Sequence, residues 1–330
     1  MGPRIWSLPT LGHLLWACFI TLTLTSCAVR SSSSVPQEGR VPQTVQGAQL
    51  ERAVVDLRAQ RFTTFEAMVT QVAQAQVIAV GEEHYHLPIQ ALVLHMLNVL
   101  TQRRPQRLAL AMEFLERDMQ PAVDAYLAGT LDEGTFQQRI GASEDFMQLY
   151  FPLLEQARDN GMPVLAMNIP RRLANQVAKE GLQATLASLS EADKAYVPDP
   201  LSEITAEYRT YFLQAVAASH PPKDAQQATR FLEAAHLKDD TMAASLAQFL
   251  ERHADFTVLA LTGRFHVDYA KALPRLLRQR RPNVTIQRLT MMAVAPADTI
   301  HLHKMAEEAL ADYVWFAPPP PVRMAHERGK

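Results

Sequence analysis

The 330-residue sequence predicts an α/β fold: a mainly parallel sheet flanked by helices, with a helical insertion over residues 182–254. Short β-rich runs alternate with longer amphipathic stretches, the pattern of a parallel sheet covered by helices. Between Leu182 and Ala254 the alternation stops and only helical periodicity remains. A hydrophobic content of 48% with 20% charged residues is that of a globular chain with a full core, which sets aside disorder, collagen and coiled coil. The formal charge of −2 argues against a nucleic-acid partner, and the densest basic cluster, Arg275, Arg278, Arg280 and Arg281, reads as the polar end of a helix.

The N-terminus comes first. Arg4 precedes a nearly uncharged stretch from Ile5 to Ser26, whose apolar run Leu14 to Leu24 is short for a membrane span and reads as a secretory signal. It ends in Leu24-Thr25-Ser26-Cys27, which resembles the lipobox of bacterial lipoproteins. The only cysteines are Cys18, inside the signal, and Cys27, so Cys27 is expected to carry a lipid anchor rather than a disulfide. By resemblance to Gram-negative sorting, Ala28 in place of an aspartate favours the outer membrane, facing the periplasm or the cell surface. The expected organisation is a signal peptide over 1–26, a lipidated cysteine and polar tether over 27–50, an α/β domain over 51–317 and a loose tail over 318–330.

Within the domain, strands are predicted at Gln76 to Val80, Arg107 to Glu113, Pro163 to Asn168, Phe256 to Thr262 and Val284 to Leu289. Helices are predicted at Leu87 to Leu100, Met119 to Leu127, Phe146 to Asn160, Pro170 to Lys179 and Ala270 to Arg280. The insertion reads as two long helices, Ile204 to Ala218 and Ala225 to Glu251, joined near His220.

Open α/β sheets bind ligands at the carboxyl ends of their strands. There the chain places Gly81-Glu82-Glu83-His84-Tyr85-His86, Met112-Glu113-Phe114, Met167-Asn168 and Gly263-Arg264-Phe265-His266. A glycine after a strand is expected to turn the backbone with positive φ. Histidine with carboxylate suits a divalent metal or a general base with its orienting partner. His84 and His266 could bind a metal with Glu83 or Glu113 as third ligand and an activated water in the open position. The blander alternative is an ion pair of Glu113 with Arg117 or Arg264 that closes the rim. His301 and His303 read as a surface pair, and Lys238, Asp239 and Asp240 as a solvated helix face or a reach toward the rim.

These motifs, with Arg117-Asp118-Met119-Gln120-Pro121, Asp240-Thr241-Met242-Ala243 and Ala311-Asp312-Tyr313-Val314-Trp315-Phe316, occur in one order over residues 70–317 and resemble the ChaN-like family of the Tiki superfamily. The resemblance implies an iron-regulated, haem-binding bacterial lipoprotein of iron acquisition, with haem as ligand. Relatives in the wider superfamily that share the paired Gly-x-x-His are metal-dependent peptidases. Where the family's first motif continues with an acidic residue and a histidine pair, this chain has Tyr85 and His86, then Ile89 and Gln90. The family's tryptophan-rich helix is replaced by Phe146, Tyr150 and Phe151. For haem, the expected axial candidates are Tyr85 and His86, with walls from Met112, Phe114, Met167 and Phe265 and with a second copy of the chain as a possible completion. The competing enzyme reading is a metal-dependent hydrolase in which Glu83 and Glu113 are catalytic. A third reading is a scaffold whose rim carboxylates are all taken up by ion pairs.

Overall fold

The computed structural model describes residues 39–219 and 221–320. The signal segment, Cys27, tether residues 28–38, His220 and the tail from residue 321 lie outside the described residues.

Two short strands, β1 (Gly39–Arg40) and β2 (Val45–Gln46), precede a hairpin of β3 (Val54–Asp56) and β4 (Arg61–Thr63) and helix α1 (Phe65–Val72). The alternating body follows: β5 (Val77–Glu82), α2 (Leu87–Arg103), β6 (Leu108–Glu116), α3 (Gln120–Leu127), α4 (Glu133–Ile140), α5 (Glu144–Leu149), α6 (Phe151–Asp159), β7 (Val164–Asn168) and α7 (Arg171–Glu180). Next come α8 (Leu182–Ser188), α9 (Glu191–Lys194), α10 (Ala206–Ser219) and α11 (Ala225–Arg252). The chain closes with β8 (Thr257–Gly263), α12 (Leu273–Arg280), β9 (Ile286–Ala293), β10 (Thr299–Ile300), α13 (Leu302–Glu307) and β11 (Tyr313–Ala317).

The main sheet has the order β1-β4-β3-β11-β9-β5-β8-β6-β7, and β10 pairs with β2 separately. From β11 to β7 every neighbour is parallel; β3 joins β11 antiparallel and carries β4 and β1. All five predicted strands are present within a few residues of their expected ends. They read clearly because a parallel strand covered on both faces is a continuous apolar run, and every residue of β5 and of β8 is buried.

Strand alternation divides the core. Ile78, Val80, Leu110, Met112 and Leu259 face α1 to α6, whereas Val77, Ala79, Ala109, Ala111 and Ala260 face α11 and α12. The second face is rich in alanine, so α11 approaches the sheet closely through Met242, Ala243, Leu246 and Leu250. The described residues within 182–254 are indeed without strands, but α11 is more than an appendage. Its C-terminal half is the layer that covers this face between β7 and β8.

The helix expected over Phe146 to Asn160 is two helices. Pro152, in the first turn of α6, has no N–H to continue α5 and breaks the run at Tyr150. The break places the Tyr150 hydroxyl at the carboxyl end of β5. Among the described residues, no helix is long and apolar enough to cross a membrane.

Candidate functional site

The rim is built at the ends of β5, β6 and β8. In β5 the alternation Ile78, Val80, Glu82 sends the last carboxylate toward α2 and α6, where it is fully buried. Its Oε1 accepts from Tyr150 Oη at 2.7 Å and lies 3.0 Å from His84 Nδ1, and its Oε2 accepts from the Gln90 side-chain amide. Gln90 thus stands where the resemblance would place a histidine. It works as a donor to Glu82.

From β6, Glu113 turns the other way. Its Oε2 accepts the Gly263 backbone N–H at 2.7 Å and is 4.0 Å from His84 Nε2; its Oε1 is 3.1 Å from His266 Nε2. His266 Nδ1 is in turn 2.7 Å from Asp239 on α11, and Asp239 accepts from Tyr208 Oη at 2.6 Å. A continuous polar chain runs from Tyr150 through Glu82, His84, Glu113, His266 and Asp239 to Tyr208. It crosses the rim between the two helical layers.

Its electrostatics follow from burial and pairing. Burial raises the pKa of Glu113, but His266, His84 and the Gly263 N–H outweigh it and hold the carboxyl at about 2. Burial lowers the pKa of His266, yet Glu113 and Asp239 push it up to about 10, so the ring is a cation clamped between two carboxylates. Burial also works against the charge on His84, and Glu82 with Glu113 overcomes it and raises that pKa. Glu82 is raised chiefly by burial. Tyr150 and Tyr208 are raised by burial and by the carboxylates they donate to.

Glu83 takes a different path. It pairs with Arg264 at 3.3 Å, and Arg264 also holds Asp268, which accepts from Thr290 Oγ1 at 2.6 Å. The expected pairing of Glu113 with Arg117 or Arg264 is therefore corrected. Arg117 is spent on Ser245 and on the carbonyls of Tyr196 and Thr241, and Arg264 on Glu83 and Asp268.

The expected metal ligands His84, His266 and Glu113 do meet, around the Glu113 carboxylate. His266 Nε2 faces Glu113 and its Nδ1 faces Asp239, while His84 Nε2 stands 4.0 Å from the same Glu113 carboxylate. Among the described residues, no group of three or more His, Cys, Asp or Glu stands ready to hold a metal ion.

Tyr85 and His86 separate. Tyr85 has φ of 57°, is 47% exposed, and donates its backbone N–H to the Tyr150 hydroxyl at 3.0 Å. Its ring meets Phe114 and Tyr150 edge-on. With Leu87, also 47% exposed, it forms an apolar step at the rim. His86 is buried; its Nδ1 accepts the Ile89 N–H at 3.4 Å and caps α2, and burial lowers its pKa.

The expected walls change too. Met112 and Met167 are wholly buried in the two core layers and line no slot, and Phe265 packs on Tyr208, Tyr211 and Phe212 across the insertion. Phe114 alone among them stands beside Tyr85.

The glycines act by closeness rather than by positive φ. A Cβ on Gly263 would stand 2.7 Å from His84 Nε2, and one on Gly81 would stand 3.0 Å from the Arg264 Cα. The left-handed residue of the first loop is Tyr85 itself.

Sequence reasoning placed Glu82 at the rim without a role, gave none to Tyr150 or Tyr208, and left Asp239 undecided. Alternation in β5 carried a signal for Glu82, since it falls on the face of Ile78 and Val80. Asp239 read as one of a charged cluster, but it is fully buried against His266.

The fold and rim define a membership class: α/β proteins whose strand ends gather a buried carboxylate–histidine network. The chain belongs to the family described as "Haem-binding uptake, Tiki superfamily, ChaN", whose model matches residues 68–277. A solved structure, "Cofacial heme binding to ChaN of Campylobacter jejuni", is 19% identical, covers 79% of this chain and 95% of its own, and superposes with a TM-score of 0.61. Protein RETICULATA-RELATED 5, chloroplastic, of Arabidopsis thaliana is 23% identical over 225 residues, 64% of this chain. The match spans 29% of that plant protein's length.

Proposed function

We propose that the chain binds haem at the carboxyl-end rim, with the Tyr85 phenol as the iron ligand. The observation that carries this reading is the exposed Tyr85 side chain on a loop fixed by a left-handed φ and by the Tyr150 hydroxyl. A phenolate is a haem iron ligand in its own right. Tyr85, Leu87 and Phe114 offer one apolar face at the rim, and the methionines that would have closed an opposite wall belong to the core. The porphyrin would therefore rest on the rim with its second face open. Cofacial haem, named for the Campylobacter protein, supports an arrangement in which a second haem or a second copy of the chain covers that face. His86 serves the loop by capping α2 rather than by meeting the iron, because its ring is buried.

The buried chain from Glu82 to Asp239 acts in this reading as the rigid support that ties β5, β6, β8 and α11 together behind the haem face. We further propose that the protein is a lipoprotein anchored through Cys27, facing the periplasm from the outer membrane, and that it accepts or carries haem during iron uptake. Metabolic labelling with palmitate, compared between the natural chain and Cys27→Ser, tests the anchor. Label in the first and none in the second is expected, and equal label would overturn it. Haemin titration with Tyr85→Phe tests the ligand.

A further inference from the structure

Beside the rim, a cavity of about 320 Å³ lies among α7, α10, α11 and the turn Arg264–His266. Phe212 and Val216 of α10, Phe231 of α11 and Phe265 form its apolar wall, with alanines of α7 and α11 filling the gaps. Three polar side chains also line it: Lys238, Asn175 and His266, the last already held between Glu113 and Asp239.

Lys238 is partly buried, and among the described residues its side chain makes no hydrogen bond or ion pair. The acidic groups around it on α11 are engaged elsewhere. Asp239 holds His266 and Tyr208, Asp240 holds Arg280 and Ser202, and Glu233 accepts the Leu182 backbone N–H. Lys238 thus brings a positive charge to an apolar wall with no carboxylate of its own helix paired to it. A ligand anion would pair with that charge, and the Asn175 amide adds a neutral donor.

We propose that this cavity binds a medium-chain monocarboxylate, its alkyl chain against Phe212, Val216, Phe231 and Phe265 and its carboxylate on Lys238. His266 is balanced by Glu113 and Asp239, which leaves the Lys238 point charge and one amide on the wall, a set that suits a monoanion. Phosphate sites add an arginine fork or a run of backbone N–H groups. The volume equals about ten waters at ~30 Å³ each, room for a ligand of about ten heavy atoms. Tyr85 and Leu87 do not line it, so the proposed ligand would not sit on the haem face, although His266 of the rim network stands on its wall.

The test is calorimetric titration of the full chain with octanoate, and with octanol as the uncharged chain of equal length. Saturable octanoate binding is expected, at least tenfold tighter than octanol. Lys238→Met keeps the stem and removes the charge, and it should weaken octanoate at least tenfold, with Lys238→Arg restoring most of the affinity. Ala235→Leu, which fills the cavity and keeps the lysine charge, should also weaken it. Haemin titration of Lys238→Met should match the natural chain, which separates this site from the rim. No saturable octanoate binding by the natural chain, equal binding by Lys238→Met, or octanol as tight as octanoate would each overturn the proposal.

Discussion

Glu113 Oε1 lies 3.1 Å from His266 Nε2, joining the end of β6 to the turn after β8 inside a nearly closed pocket of charge. On the far side of the ring Asp239 completes the clamp at 2.7 Å. The positive ring is needed where it is because two buried carboxylates flank it. Removing it leaves both uncompensated, which is the costly way to break a buried ion pair.

His266→Gln should therefore cost about 3–5 kcal/mol of folding stability. Urea unfolding of the variant beside the natural chain measures this. A loss below about 1 kcal/mol, the range of an exposed pair, would mean that the clamp is solvated.

The same clamp sets a pH dependence. His266 has its pKa raised from 6.5 to about 10, so its stabilisation is full below pH 6.5 and is lost as pH rises through about 10. Glu113 is depressed from 4.5 to about 2, so its stabilisation is full above pH 4.5 and is lost as pH falls through about 2. The stability difference between the natural chain and His266→Gln should be largest between those limits and shrink on either side. A difference independent of pH would contradict the pairing.

Tyr150→Phe removes the O–H that Glu82 accepts and the oxygen that holds the Tyr85 N–H. Leaving a buried carboxylate short of a donor should cost about 1–3 kcal/mol. The variant should also bind haem more weakly, because the loop that presents Tyr85 loses its tie. Unchanged denaturation midpoint and unchanged haem affinity would show that the hydroxyl supports neither.

His86→Ala removes the side-chain cap of α2. Caps contribute about 0.5–2 kcal/mol, and the 3.4 Å separation places this one toward the low end. Haem affinity should stay close to that of the natural chain. A loss as large as that caused by Tyr85→Phe would assign the iron to His86 instead.

The sheet was legible in the sequence because its central strands are buried on both faces and read as apolar runs. The hairpin β3 and β4 was not, since three-residue strands such as Val54–Asp56 carry no measurable alternation. The segment from Ala311 to Phe316 stood out as a motif, yet only the pairing of β11 between β9 and β3 makes it a strand.

The site was legible in part. His84, Glu113 and His266 were found because each ends a strand, and strand ends share a rim. Asp239 could not be resolved locally. A carboxylate beside Lys238 and Asp240 has the pattern of a wet helix face, and what buries it is a histidine 27 residues further along the chain. Tyr150 was hidden for another reason: its hydroxyl reaches Glu82 only because Pro152 breaks the helix there.

Haemin titration of the full chain, following the Soret band, tests the central claim most directly, with Tyr85→Phe titrated in parallel. A saturable, shifted band in the natural chain that weakens or moves in Tyr85→Phe is the predicted result. Featureless absorbance that is the same in both proteins would contradict haem binding at Tyr85.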